Sequence, residues 1–206
     1  WKNGYPEYFA KVLNAPNWIG IHIKINGQVF DLNKCRKVEH YKRELNMKEG
    51  WHQRTFTAEL PDGLEIKVKA KRFLSLKMNE LGAIHYEITP INKEALIEYI
   101  PYVDAGITNQ DSNWDDKFWE ITQVEAKHNQ GFVHSHTLKT VFHVCTFMQA
   151  DAYLDDKKID LQPDAMEEDT KALLSFEQKV AEEQSFSIVK YGGYTTSLNH
   201  SKNDLQ

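Results

Sequence analysis

Two cysteines in 206 residues, Cys35 and Cys145, are too few and too far apart for a disulfide framework, and neither stands in the spacing of a zinc site. Free thiols in a reducing compartment are expected, and with them a cytoplasmic location. Basic excess is missing too: 25 Lys and Arg face 30 Asp and Glu, a formal net charge of −5, with no basic block to track a phosphate backbone. Nucleic acid is therefore not an expected partner. No apolar run reaches the ~18 residues of a membrane span, so no membrane partner is expected. The opening Trp1-Lys2-Asn3-Gly4-Tyr5-Pro6 has neither an initiator Met nor a signal-peptide pattern, and a piece cut from something longer is expected. Helical periodicity is also scarce. Only Asp164 to Leu174 suggests a helix, of about two or three turns, and it is weakly capped.

What the sequence does contain is alternation. Ile19, Ile21, Ile23 and Ile25 share one face and run into Asn26-Gly27, a two-residue turn whose positions both need φ > 0, so a β-hairpin is predicted. That turn sets Ile23 opposite Phe30 and Ile21 opposite Leu32. Pro61-Asp62-Gly63 predicts a second hairpin, pairing Leu60 with Leu64, Ala58 with Ile66 and Phe56 with Val68. Glu65, Lys67, Lys69 and Lys71 then form its wet face. Further strands are predicted around Ile84 to Ile88, Leu96 to Val103, Phe118 to Val124, Leu138 to Met148, Phe176 to Val180 and Phe186 to Tyr191, about ten in all. The fold class is mainly β, a large antiparallel two-sheet β-sandwich in a single domain. The polar stretch from Asp151 to Asp169 is the strongest boundary signal.

The opening segment, followed by Tyr8-Phe9, Lys11-Val12, Asn14, Asn17, Ile25-Asn26-Gly27 and Asp31-Leu32, resembles the glycoside phosphorylases of glycoside hydrolase family 65. Leu45-Asn46-Met47 before Gly50, Arg72-Phe73-Leu74-Ser75, Asp104-Ala105, Asn109, Trp114-Asp115 and Phe118-Trp119 continue the likeness in the same order, covering residues 1 to 125 best. The resemblance implies the family's N-terminal super-sandwich of galactose-mutarotase type, here residues 1–206 truncated at both ends, with the catalytic α/α barrel absent. It implies a parent reaction of inverting phosphorolysis, maltose and inorganic phosphate giving β-glucose 1-phosphate and glucose, with no cofactor. The catalytic Glu and the phosphate site would lie in the barrel, so no catalytic residue is assigned here and the chain alone is expected to be inactive. The implied partners are that barrel, a second copy in a homodimer, and an α-glucoside disaccharide.

The connection from Asp104 to Trp119 is dense in Asp and Asn. Asp111, Asn113, Trp114, Asp115 and Trp119 are its candidates for a substrate rim or an interface, since Trp stacks on sugar rings while Asn and Asp bond hydroxyls. The plainer alternative buries both Trp side chains over the core. An exposed Trp platform would instead mark an autonomous carbohydrate-binding module. His134 and His136, two apart on a strand, share a face, with His143 at opposite parity. They invite a sugar-epimerase reading only if a carboxylate and a concave pocket stand beside them. No metal site is predicted from them, because no third ligand has a recognisable spacing. The aromatic arm Trp1, Tyr5, Tyr8 and Phe9 is expected to pack on another surface.

Overall fold

Asn26 and Gly27 take positive φ angles of 51° and 76°, and the hairpin they make is the first element of the computed structural model, which describes residues 12–109 and 117–205. β1 (Ile21–Ile25) pairs with the short β2 (Gln28–Val29), and the Phe30 amide donates to the Ile23 carbonyl, as predicted. The predicted pairing of Ile21 with Leu32 does not form. Asp31 caps a 3₁₀ turn over Leu32–Lys34 by accepting from the Asn33 amide, and β1 pairs along its other edge with β7 (Ala95–Asp104), Ile21 opposite Pro101.

The second hairpin has the predicted register. β4 (Trp51–Glu59) and β5 (Glu65–Leu74) pair Phe56 with Val68 and Ala58 with Ile66, and the Leu60 amide donates to the Leu64 carbonyl. β3 (Lys37–Asn46) precedes them; β6 (Leu81–Pro90), β7 (Ala95–Asp104), β8 (Trp119–Lys127), β9 (Gln130–Thr137), β10 (His143–Leu154), β11 (Lys157–Lys158), β12 (Asp164–Glu168), β13 (Lys171–Val180) and β14 (Phe186–Thr196) follow. These are 14 strands among the described residues, against about ten predicted. All the pairings are antiparallel. One sheet runs β12-β13-β7-β1-β2; the other, of nine strands, runs β3-β4-β5-β6-β14-β10-β9-β8, with β11 beside β10.

Two expectations fail here. Asp164 to Leu174 is not a helix but most of a hairpin, β12 and β13 turning at Asp169 and Thr170. Ala172, Leu174 and Phe176 alternate into the core, and Phe176 lies opposite Tyr99, so sheet pairing overrides a good helical composition. Leu138 to Met148 is likewise not one strand. A turn with Val141 at φ 52° separates β9 from β10. The polar stretch from Asp151 to Asp169 contributes the end of β10, then β11 and β12, to the sandwich.

β7 and β13 lie over β9, β10 and β14, and Ile66, Val68, Ile88, Ile97, Tyr99, Leu174, Phe176, Phe186 and Ile188 fill the space between, each fully buried. Three polar groups tie the layers. The Tyr99 hydroxyl donates to the Phe186 carbonyl at 3.0 Å, the Tyr194 hydroxyl to the Pro16 carbonyl at 2.6 Å, and buried Lys190 to the carbonyls of Gly20 and Tyr102 at 2.9 and 2.7 Å. Trp18 closes one end of the core on a glycine floor: a Cβ on Gly82 would meet its ring at 2.6 Å and one on Gly192 at 2.8 Å.

Candidate functional site

β7 delivers the chain into the Asp-rich connection through a knot at its last residue. Asp104 exchanges two backbone bonds with Asn17, and its carboxylate accepts from the Gly106 amide at 2.7 Å and the Thr170 hydroxyl at 3.1 Å. Farther on, one residue gathers both feet of the connection. Asn14 donates its amide to Asn109 Oδ1 at 2.9 Å and its side-chain Nδ2 to the Thr108 carbonyl at 3.1 Å, while its carbonyl accepts from Trp119 Nε1 at 2.9 Å. Asn109 is buried, and its Nδ2 donates to the Val12 carbonyl at 2.8 Å. A loop whose ends meet on a third segment is held at its base whatever its tip does. Trp119 is half-buried and its indole N–H is engaged within the protein, which anchors the ring at the base of the connection. Asp111, Asn113, Trp114 and Asp115, and the arm with Trp1, Tyr5, Tyr8 and Phe9, lie outside the described residues.

The histidines come together, all on one face. His143 opens β10 opposite His136, with ring centroids 5.0 Å apart, and its Nδ1 is 3.4 Å from Nε2 of His134. The expected opposite parity of His143 is wrong, because parity holds only along an unbroken strand and the turn at 138–142 resets it. Glu120 reaches His136 Nε2 at 3.6 Å, so a carboxylate does stand beside the cluster, but it is mostly exposed. Burial pushes His134 and His143 below the ordinary imidazole value, with the neighbouring histidines, and Lys202 for His143, adding to the fall. Each of these shifts disfavours the imidazolium form that a general acid needs. Among the described residues no group of three or more His, Cys, Asp or Glu is arranged to hold a metal ion; the imidazoles face one another instead of a common point.

Two hollows lie apart from these groups. One, of about 480 Å³, lies between Asn129, Asp151 and the 158–162 segment, and its polar groups pair with each other: Asp151 takes Asn129 Nδ2 and Lys158 Nζ, each at 3.0 Å. The other, of about 230 Å³, lies on the inner face of β3 to β6, against Ile19 and Ile21. Neither was foreseen in the sequence.

Comparison with known proteins bears on which of these matter. The family model described as "Glycosyl hydrolase family 65, N-terminal domain" matches residues 1–206. A maltose phosphorylase of Bacillus subtilis (strain 168) is 39% identical over 142 residues, 69% of this chain and 18% of that protein. An α,α-trehalose phosphorylase of Thermoanaerobacter brockii is 26% identical over 216 residues, 98% of this chain and 27% of its own length. A solved structure titled "Putative kojibiose phosphorylase from human microbiome" superposes with a TM-score of 0.78 at 23% identity, over 92% of this chain and 23% of that one, and shares the fold. The chain therefore spans 18 to 27% of the length of these relatives.

Proposed function

The chain belongs to glycosyl hydrolase family 65, spanning its N-terminal domain, and from that premise we propose that it is a non-catalytic accessory domain of a cytoplasmic, dimeric glycoside phosphorylase, packed on the enzyme's catalytic portion. On this reading the whole enzyme cleaves maltose with inversion. An acid on the catalytic portion protonates the glycosidic oxygen while inorganic phosphate, already anionic, attacks the anomeric carbon from the opposite face, so no activating base is needed. Maltose is favoured among the α-glucosides because the maltose phosphorylase relative is 39% identical.

The observation that carries the reading is an apolar end of the large sheet. Segment 197–205 is tied to the turn before β6, His200 Nε2 meeting Glu80 Oε1 at 2.7 Å. That turn and the strand ends beside it expose Leu45, Met47, Phe73, Leu74, Leu76 and Met78, with Leu76 at 100% and Met47 at 86%. The core of the sandwich is filled without them. An apolar group of this kind on a finished domain is the signature of a surface covered by a neighbour. The clasp at Asn14 would hold the 110–116 loop as a rim for the neighbour's substrate entrance.

In the full-length protein, maltose and inorganic phosphate should yield β-glucose 1-phosphate, and the 206-residue chain alone should yield none. Trp114→Ala should lower kcat/KM in the full-length enzyme while leaving the melting temperature of the isolated chain nearly unchanged. An unfolded Trp114→Ala chain, or a chain that binds maltose by calorimetry and loses that binding in Trp114→Ala, would replace this reading with a buried core tryptophan or a sugar-binding module respectively. At the loop's base, Trp119→Phe removes one hydrogen bond and little packing. It should cost about 1 kcal/mol in urea unfolding, and no change would mean that the clasp does not hold in solution.

A further inference from the structure

We propose that the hollow on the inner face of β3 to β6 is a binding site for a small phosphate-bearing anion, held by Arg43, Arg54 and Arg72. The register builds it. Arg43 lies opposite Arg54, Arg54 opposite Ala70, and Ala70 opposite Tyr86, in one row across four strands; in the next row His52 lies opposite Arg72, and Arg72 opposite Ile84. Side chains two apart share a face, so Arg54 and Arg72 flank Ala70, whose lone methyl leaves the space between them open. All these residues, with Ile19 and Ile21 from the other layer, line one hollow of about 230 Å³.

The charges there stand apart from the ion pairs of the surrounding strands. On the same strands Lys37 pairs with Glu39, Lys42 with Glu44 and Arg36 with Glu59. Among the described residues no carboxylate stands within 4.0 Å of Arg43, Arg54 or Arg72. Arg54 is instead stacked at 5.5 Å over the Phe56 ring. His52 gives a second, independent reading of the field. Partial desolvation lowers it first, then Arg72, Arg43 and Arg54, and no acidic group opposes them.

Three guanidiniums around one small hollow exceed what a single carboxylate can engage, whereas a phosphate offers several oxygens to several forks and a second negative charge. The hollow is smaller than the ~300 to 1,000 Å³ of pockets that take larger ligands, which fits a small anion better than a peptide segment. Ile19, Ile21, Ile84 and the Tyr86 ring supply an apolar wall for whatever carbon skeleton carries the phosphate. The inference does not depend on the accessory-domain reading, because it concerns groups of this chain alone.

Calorimetric titration of the chain with inorganic phosphate, at pH 7 and fixed ionic strength, tests it. One saturable site is expected. Arg54→Gln and Arg72→Gln should each weaken it by about tenfold or more, and Lys67→Gln, on the opposite face of β5, should leave it unchanged. Arg72 is exposed, so its variant keeps the test sound if Arg54→Gln unfolds. The proposal is overturned by the absence of saturable binding up to about tens of millimolar, the range of ~2 to 3 kcal/mol affinities. It is equally overturned by binding indifferent to both arginine variants, or by an oligo-glutamate peptide that outcompetes phosphate, which would make the basin a protein interface.

Discussion

Gly193→Ala should leave the chain unable to hold the centre of its large sheet, with a loss of roughly 3 kcal/mol or more, a large share of the ~5 to 15 kcal/mol that stabilises a domain. Gly193 lies in β14 opposite Leu81 of β6, and a Cβ there would sit 1.8 Å from the Glu80 carbonyl oxygen and 2.8 Å from the carbonyl carbon. The obstacle is backbone, which cannot rotate aside as a side chain would. The same Glu80 carbonyl accepts from the Tyr194 amide at 3.1 Å, so relieving the clash breaks that bond and pries β6 from β14. Both flanking strands carry core residues, Ile84, Tyr86 and Ile88 on β6 and Phe186 and Ile188 on β14. Gly27→Ala is the contrasting control. It meets nothing within 4 Å, and its cost comes only from the positive φ of 76°, about 1 kcal/mol. Urea unfolding followed by far-ultraviolet circular dichroism measures both. A Gly193→Ala chain with the midpoint of the parent would mean that β6 and β14 do not approach this closely in solution.

The hairpins were legible because their turns carry chemistry that no other structure uses as well. Asn26-Gly27 and Pro61-Asp62-Gly63 set register, and register carried the alternation of Phe56, Ala58, Ile66 and Val68 across two strands. The same register continued two and four residues outward pairs Arg54 with Ala70 and His52 with Arg72, so the clustering of the basic residues was legible in the sequence. Cations two apart on a strand are equally consistent with a wet face, and only the arrangement of β1 against β4 to β6 shows that this face is concave. Lys190 was legible by the same rule, two residues after Ile188 on the buried face, and equally easy to mistake for a solvated lysine.

The misreadings have a common cause. Asp164 to Leu174 has the composition of a helix, and the turn at 138–142 has no Gly or Pro to announce it, so local signals pointed away from the strands that long-range pairing imposes. The turn mattered for chemistry as well as for topology. Placing His143 on the face of His134 and His136 turns a pair into a cluster whose rings contact one another. The loop candidates were legible only as a region. Their common base at Asn14 depends on contacts spanning about a hundred residues of sequence, which no spacing rule conveys.

Lys190→Met should destabilise the chain by about 2 to 4 kcal/mol at pH 7, and the gap between the two proteins should widen as pH rises. Lys190 is fully buried on β14 opposite Ile84 and Ala150, and its ammonium position satisfies the carbonyls of Gly20 and Tyr102, 5.8 Å from the Tyr102 ring. Methionine fills similar volume but donates nothing, so two inward-facing carbonyls lose a donor where the layers meet. Gly20 keeps its bond from the Tyr102 amide at 3.2 Å, which holds the cost below that of two wholly orphaned groups. Burial also pushes the Lys190 amine well below the ordinary lysine value of 10.5. Between that depressed value and 10.5 the unfolded chain binds a proton that the folded chain does not, so stability rises with pH through this window. Methionine removes that slope. Cys145, pushed by burial up to about 11, runs the other way above its unfolded value of 9.0, but it does so in both proteins and largely cancels in their difference. Urea midpoints of the two chains at several pH values up to about 9 make the measurement. A gap that narrows with rising pH would mean that the folded protein keeps Lys190 charged through its carbonyl bonds. No gap at all would mean that the carbonyls of Gly20 and Tyr102 find water when the amine is gone.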